Sequence, residues 1–156
     1  MKYSPYQEDI FRFIQSGTGH GIVEAVAGSG KTTTILYIAK IFNKFKILII
    51  TYNKRLRLET KKRASGLVNI DIHTYHSYYF RYYNNKCHTD VAMHDIVNNN
   101  SCKSKNHTKY DIVIVDEIQD MTELYYKAVR KIINDNTLID YLMVVLGDYR
   151  QEIYDH

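Results

Sequence analysis

The segment AVAGSGKT, from Ala25 to Thr32, has the residue types and spacing of a phosphate-binding loop, although Ala25 stands where such loops usually begin with glycine. It follows a predicted strand and opens a predicted helix. Gly28 and Gly30 let backbone amides turn toward a phosphate, and the helix dipole strengthens the attraction. Lys31 can then reach the β- and γ-phosphates of a nucleotide, while the Thr32 hydroxyl can bind Mg²⁺. We therefore predict a nucleotide site; the alternative is a glycine turn that caps an ordinary helix.

Two adjacent carboxylates, Asp116 and Glu117, follow the apolar run IVIV at positions 112–115. The run predicts a buried strand, and the ligands of an open α/β sheet bind at the carboxyl ends of its strands. Asp116 would hold Mg²⁺ through water, and Glu117 would polarise the water that attacks the phosphate. The alternative is a helix whose first turn carries acids to suit its dipole, which explains Asp120 and Glu123 but not the adjacent pair.

A third polar turn ends the apolar run in VVLGDYRQEIY, at positions 144–154. Gln151 in this turn could sense the γ-phosphate if the strand before it lies in the same sheet as the other two sites. The pattern is weak by itself, because a glycine turn after a strand is common. The pattern supports a nucleotide site only because the two motifs described above precede it in the sequence.

Short β-branched runs alternate with amphipathic segments, and these elements must position the three sites. The alternation predicts an α/β fold with a mainly parallel central sheet flanked by helices. The predicted strands span 21–25, 46–51, 68–72, 110–115 and 140–147. The predicted helices span 31–42, 54–64, 77–83 and 122–133, and another begins at Pro5 with Ser4 as its cap.

The composition is that of one folded domain: 156 residues, 45% hydrophobic and 24% charged. No apolar run approaches the roughly 18 residues of a membrane span, and the N-terminus does not read as a secretory signal. Two cysteines are too few for a disulfide framework, so we expect an intracellular protein. The net charge is +4, but the predicted helix 54–64 holds six cations against one acid, Glu59. Such a helix suits a polyanionic partner or forms a solvated face.

Residues 84–109 are polar, rich in asparagine and poorly periodic, which predicts a surface insertion that is partly mobile. The segment contains side chains of the types that bind zinc. These are Cys87, His88, His94, Cys102 and His107. Their spacing matches no standard zinc finger, so a flexible loop is the favoured interpretation and a zinc site is the alternative.

The three motifs, in this order, resemble those of superfamily 1A DNA helicases of the UvrD/Rep type. Further matches extend the resemblance over nearly the whole chain. Gln7 is similar to the glutamine that recognises adenine, Thr51–Lys54 (TYNK) to the motif called Ia, and Thr74–Ser77 (TYHS) to a TFHSF-like segment. The sequences of the segments TYNK and HTYHS are most similar to those of the F-box DNA helicase branch.

The resemblance implies that residues 1–156 form a single RecA-like P-loop NTPase domain, the first of two motor domains. We expect residues 84–109 to stand in place of an accessory subdomain, and the second motor domain with its arginine fingers to be absent from these residues. In this family ATP, with Mg²⁺, lies between the two domains, and single-stranded DNA runs across both. Thr33 stands where many relatives have an arginine near the adenine.

The resemblance also assigns roles to individual residues. Catalysis would rest on Glu117, Lys31 and Gln151. The nucleotide would be held by Gln7, Ala27, Gly28, Ser29, Gly30, Lys31, Thr32, Thr33 and Gln151, and the metal by Thr32 and Asp116. The residues on the DNA side would be Thr51, Asn53, Lys54, Thr74 and His76. Tyr52 and Tyr75 lie beside them in the sequence and could stack on bases, whereas Tyr78, Tyr79, Tyr82 and Tyr83 are expected to pack against the protein.

The implied function is ATP hydrolysis coupled to movement along single-stranded DNA, with 3′→5′ polarity. Arginine fingers accelerate phosphoryl transfer by about 10³- to 10⁵-fold, so we expect these residues to bind ATP or ADP but to hydrolyse it slowly without the second domain. Two alternatives stay open. One is a nucleotide- or DNA-binding module without helicase activity, and the other is a superfamily 1B RNA helicase domain.

Overall fold

A parallel five-stranded sheet forms the centre of the computed structural model, which describes residues 5–16, 20–24, 31–52, 54–116 and 121–147. The strands are β1 His20–Glu24, β2 Ile47–Thr51, β3 Ile70–Thr74, β4 Tyr110–Val115 and β5 Thr137–Gly147. Their spatial order is β1-β5-β4-β2-β3, and every neighbouring pair is parallel. The predicted fold class is confirmed, and each predicted strand is present with bounds shifted by at most a few residues.

Six helices accompany the sheet in the part of the chain that the structure describes. They are α1 Pro5–Ser16, α2 Lys31–Ile41, α3 Lys54–Arg63, α4 Tyr75–Tyr82, α5 Asp90–Asn98 and α6 Glu123–Asn136. The helix α4 begins earlier than predicted because the Thr74 side chain accepts a hydrogen bond from the Ser77 amide and caps it. Thr122 caps α6 in the same way. None of the described helices is both long and apolar enough to cross a membrane.

Helices cover both faces of the sheet, which explains why β2 and β4 are continuous apolar runs. Ile47 and Ile49 of β2 face α1 and α2, whereas Leu48 and Ile50 face α4, α5 and α6. All four side chains are fully buried. The carboxyl ends of the central strands are therefore held between two layers of helices.

The prediction of a flexible loop at residues 84–109 is wrong where α5 forms. The side chains of Met93 and Ile96 in α5 are buried in the core beside α6, and Cys87 joins the same cluster. The asparagines that suggested disorder end this helix instead. Asn100 adopts a φ of 46°, a left-handed conformation that asparagine tolerates better than most residues.

The side chains considered as zinc ligands take part in the packing of this segment. Cys87 is buried, which raises the pKa of its thiol, and Cys102 is exposed; neither forms a disulfide. His107 Nε2 lies 2.8 Å from the Tyr78 hydroxyl, and His94 pairs with Asn98. Among the described residues, no three His, Cys, Asp or Glu side chains meet as a metal site.

Candidate functional site

Parallel pairing brings several predicted site residues to one edge of the sheet, which we call the carboxyl edge because β2, β3 and β4 end there. Thr51 ends β2 and is in register with Thr74, which ends β3. Asp116 follows Val115, the last residue of β4, and Val115 is in register with Ile50. The sequence separates these side chains by up to 65 positions, and the sheet register places them side by side.

Asp116 is the most buried charged residue of this edge, with no exposed surface. Its backbone amide donates a hydrogen bond to the carbonyl of Ile50 at 2.9 Å. The Thr51 hydroxyl, equally buried, lies 3.5 Å from Asp116 Oδ2 and donates toward it. A buried carboxylate requires compensation by donors or a cation. The carboxylate at the end of β4 therefore contacts the end of β2 through the Thr51 hydroxyl.

Thr32 and Asp116 have the donor chemistry that a magnesium ion requires. Mg²⁺ prefers oxygen ligands and is held in proteins by one or two side chains together with substrate phosphates and water. Thr32 contributes a hydroxyl in the first turn of α2 and is 9% exposed, while Asp116 contributes a buried carboxylate. The residues present thus fit the predicted ion.

Gln7 is held against the first turn of α2. Its Nε2 donates a hydrogen bond of 2.7 Å to the Thr34 hydroxyl, and Thr34 is buried. Since Thr34 is two residues beyond Thr32, the contact places Gln7 next to the start of the helix that the phosphate loop opens. Sequence reasoning singled out Gln7 but missed Thr34, because a buried threonine within a helix carries no distinctive pattern.

Arg63, which sequence reasoning also missed, reaches the same turn from α3. Its Nη2 donates to the Thr33 hydroxyl at 3.4 Å. The contact brings a guanidinium to Thr33, the position at which the resemblance implies an arginine in many relatives. The two residues are 30 positions apart, so no spacing rule could have paired them.

Among the residues predicted to contact DNA, His76 is bonded to the helix α5. The distance between His76 Nε2 and Asp90 Oδ1 is 2.7 Å, and the Tyr125 hydroxyl of α6 donates to the same oxygen at 2.8 Å. Thr74 uses its side chain to cap α4, as described above. Lys54 opens α3 and is exposed. Thr74 and His76 are thus held by side-chain contacts within the protein, whereas Lys54 is exposed to solvent.

The prediction that Tyr75 stacks on a base disagrees with the structure. Tyr75 is 1% exposed, and its ring packs at 4.9 Å from Tyr52 and 4.7 Å from Tyr125. Burial raises the pKa of Tyr75 far above its usual range. Tyr52 is half-buried, and its hydroxyl contacts the sulfur of Met121 at 3.7 Å. Tyr52, Tyr75 and Tyr125 thus form an aromatic cluster next to the carboxyl edge, and base stacking by the half-buried Tyr52 stays a prediction.

Several predicted site residues lie outside the described residues, so their roles stay predictions. They are Ala27, Gly28, Ser29, Gly30, Asn53, Glu117 and Gln151. Lys31 is the first residue of α2, at the end where the predicted phosphate loop enters the helix.

Fold and motifs together define a helicase-like P-loop NTPase domain. The chain belongs to the AAA_19 family of AAA domains, whose model matches residues 8–156. Family and fold confirm the RecA-like domain of a superfamily 1 helicase, the kinship that the motifs indicate, while the F-box branch stays a prediction. No curated protein matches the chain.

Two solved structures share the fold. The large terminase of bacteriophage HK97 is 12% identical over 94% of this chain and 33% of its own, with a TM-score of 0.54. Pif1 from Bacteroides sp, solved in complex with ADP-AlF4, is 16% identical over 99% of this chain and 36% of its own, also with a TM-score of 0.54. The chain thus spans about a third of the length of either protein, and at these identities the likeness concerns the fold alone.

Proposed function

We propose that this chain is the ATP-binding motor domain of an ATP-dependent helicase or translocase that acts on single-stranded DNA with 3′→5′ polarity. The observation that carries the proposal is the contact between Thr51 and the buried carboxylate of Asp116. Asp116 belongs to the predicted nucleotide and metal site, and Thr51 to the predicted DNA site. A change of charge beside Asp116 would therefore act directly on Thr51 at the end of β2.

On the nucleotide side, the phosphates are bound by the loop Ala27–Gly30 with Lys31 and Thr32, and the base end lies near Gln7. When bound, Mg²⁺ would neutralise charge on the β- and γ-phosphates, held by the Thr32 hydroxyl and by Asp116. Glu117 orients and deprotonates the attacking water, and Gln151 senses the γ-phosphate. The ADP-AlF4 found in the Pif1 structure supports nucleotide binding on this fold.

On the DNA side, Thr51, Asn53 and Lys54 bind the phosphate backbone where β2 ends, and Thr74 and His76 continue that contact where β3 ends. Tyr52 offers an aromatic edge to a base. The charge of Lys54 and its exposure at the start of α3 support this role. A second RecA-like domain, in the same chain or another, supplies the arginines for rapid hydrolysis and the other half of the DNA path.

Thr51→Val tests the proposal through the coupling between the two ligands. Coupling of two binding sites is reciprocal, so we measure the Kd of Mg·ADP by calorimetry with and without a saturating oligothymidylate. We expect DNA to change the nucleotide Kd of the wild-type chain several-fold, and Thr51→Val to abolish that change while the Kd without DNA stays within about twofold. The matched control is Thr108→Val, an exposed threonine away from the carboxyl edge.

An unchanged coupling in Thr51→Val would contradict the proposed link between the sites. Lys31→Ala tests the nucleotide site itself, because loss of the phosphate-binding cation should weaken Mg·ADP binding at least tenfold. Replacing the oligothymidylate with an oligouridylate of equal length separates the DNA and RNA interpretations. A chain that binds both ligands without any coupling would favour the binding module without motor activity.

A further inference from the structure

A groove of about 1090 Å³ runs along β3, the edge strand of the sheet. We call it the edge groove. The helix α3 borders it on the sheet face that carries α2, and α4 borders it on the opposite face. Its upper end is lined by His73 and Ser77, next to the carboxyl edge, and its lower end by Gly66 and Leu67. The groove therefore extends from the predicted DNA residues down the whole side of the sheet.

Four cations face this groove, from three separate elements of the chain. Arg57 and Lys61 lie one turn apart on α3, Arg81 lies in the last turn of α4, and Lys105 belongs to the loop before β4. Lys61, Arg81 and Lys105 are exposed. Within the described residues, none of the four forms an ion pair with a carboxylate. Two of the six cations of the helix that the sequence left open as a solvated face, Arg57 and Lys61, thus join Arg81 and Lys105 in one concave surface.

The acidic residue of the groove, Asp71, offsets only one of the four positive charges, and its carboxylate is bonded within the protein. Its carboxylate lies 2.7 Å from His73 Nε2 and accepts hydrogen bonds from the hydroxyls of Tyr82 and Tyr110. Burial raises its pKa, but the His73 hydrogen bond and charge and the two hydroxyls outweigh burial and hold the pKa well below its usual range. Asp71 therefore stays ionised, and four cations against this one carboxylate leave the groove with a net positive charge.

We propose that the edge groove binds the phosphates of a nucleic-acid strand as it leaves the carboxyl edge. Charge complementarity supports a polyanion, and Phe80, 41% exposed beside Arg81, offers a ring on which a base can stack. The groove begins where Thr74 and His76 end the proposed DNA contact. This inference rests on the proposed function, since it continues the same strand into a second site.

An acidic peptide paired with the free side of β3 is the rival occupant. An edge strand offers its backbone groups to such a peptide. Here Arg57 Nε already donates to the carbonyl of Ile72 at 3.4 Å, in the middle of β3. A pairing peptide would have to displace this bond, whereas a phosphate needs only the outward part of the guanidinium and the other cations. The arrangement therefore favours nucleic acid.

The test compares two sets of charge removals in the full chain. The groove variant combines Lys61→Gln, Arg81→Gln and Lys105→Gln, and keeps Arg57 because it bonds β3. The control variant combines Lys40→Gln, Lys44→Gln and Lys62→Gln, three exposed lysines that do not line the groove. Both lose the same charge. Fluorescence anisotropy then gives the Kd for oligothymidylates of about 8 and about 16 nucleotides at several salt concentrations.

We expect the groove variant to weaken binding of the longer strand about tenfold and to lower its salt slope by about 2, near 0.7 for each lost phosphate contact. The short strand, which fits the carboxyl edge alone, should change by no more than about twofold in both variants. An equal effect of both variants on the longer strand would overturn the proposal. So would a fluorescent polyglutamate peptide that loses binding in the groove variant while both oligothymidylates are unaffected.

Lys54→Gln separates this inference from the proposed function. If the short strand binds and depends on Lys54, but the groove variant behaves like the control, only the groove fails. If the longer strand depends on the groove and Lys54→Gln has no effect on either length, the groove stands and the proposed DNA site at the carboxyl edge fails. If neither length binds, both fail.

Discussion

The two faces of the sheet are built from different residues. The face covered by α1 and α2, which we call the aliphatic face, is mostly isoleucine, as in Ile38 of α2 and Ile49 of β2. The face covered by α4, α5 and α6, the tyrosine face, contains six buried tyrosines. These are Tyr75, Tyr78, Tyr79, Tyr82, Tyr83 and Tyr110. The aliphatic face is stabilised by the burial of apolar side chains alone, whereas the tyrosine face also contains hydroxyl groups that need hydrogen-bond partners.

The tyrosine hydroxyls are bonded to specific acceptors. Tyr79 donates to the carbonyl of Ala128 at 2.6 Å, and Tyr83 to Asp135 at 2.7 Å. Isoleucines on the aliphatic face have no such requirement and tolerate small shifts, whereas a hydrogen bond fixes both distance and direction. The helix α4, which carries His76, belongs to the tyrosine face. The predicted nucleic-acid side is therefore positioned by directional bonds, and the helices beside the predicted nucleotide site mainly by packing.

Among the proposed variants, Ile49→Ala should have the largest effect on stability, because it disrupts the packing of the aliphatic face. Ile49 has no exposed surface and lies in the middle of β2. Removal of its side chain leaves a cavity between the sheet and the helices, so we expect a loss of about 2–5 kcal/mol in the free energy of unfolding. Urea denaturation followed by circular dichroism measures it. Ile49→Val is the matched control and should cost only about 0.5–1.5 kcal/mol; a smaller loss for alanine than for valine would contradict simple burial.

Tyr79→Phe breaks the tyrosine face without making a cavity. The ring remains, but the carbonyl of Ala128, which lies inside α6 and is an acceptor of that helix, loses the Tyr79 hydroxyl as an additional donor. We expect a loss of about 0.5–1.5 kcal/mol, the usual net contribution of one hydrogen bond. Tyr126→Phe is the control, since Tyr126 is 57% exposed and should change by less than about 0.5 kcal/mol. Equal stability of the two variants would show that the tyrosine face, too, is held by burial alone.

Asp71→Asn sharpens the comparison through pH. A carboxyl whose folded pKa is lower than its unfolded value stabilises the fold above the unfolded pKa, near 3.8, and this stability is lost as the pH falls toward the folded value. Wild-type stability should therefore begin to drop below about pH 5 and should keep dropping, most steeply below pH 3.8, and the part due to Asp71 should be absent in the variant. Denaturant titrations at several pH values measure the slope. Asp95→Asn, at an exposed acid of α5, should leave the slope unchanged.

The sequence was informative where local pattern decides structure. The runs that became β2 and β4 are β-branched and unbroken, and parallel strands buried on both faces require that pattern. The same strands place Asp116 at their carboxyl edge, so the position of this proposed metal ligand could be predicted from the run before it. The helix α3 could be predicted from its own composition, because no distant contact is needed to recognise it.

The rest depends on contacts between distant residues. Gln7 meets Thr34 and Arg63 meets Thr33 across 27 and 30 positions, and nothing in the local sequence marks these pairs. The helix α5 was missed because its nine residues bury only Met93 and Ile96, too few for a clear helical period. The burial of Tyr75 was missed because one tyrosine can serve as a stacking platform or as core, and tertiary packing alone decides which.

Asp90→Ala gives the smallest expected effect and asks whether the tyrosine face orients the predicted DNA residue His76. Asp90 Oδ1 accepts from Tyr125 and contacts His76, but the carboxylate is exposed, so stability should change by less than about 1 kcal/mol. Release of His76 should raise the Kd for a short oligothymidylate about threefold, while Asp95→Ala on the same helix should not, apart from a charge effect common to both.

Tyr125→Phe then separates orientation from charge, because it removes one donor to Asp90 and leaves the carboxylate and its contact with His76 in place. If directional bonding holds His76, the affinity of Tyr125→Phe for the short strand should lie between those of the wild type and Asp90→Ala. The same ranking should persist in high salt, where a difference due to charge alone shrinks. A difference between Asp90→Ala and Asp95→Ala that disappears with salt would mean that α5 acts on the carboxyl edge through its charge, and that the tyrosine face supports His76 only by packing.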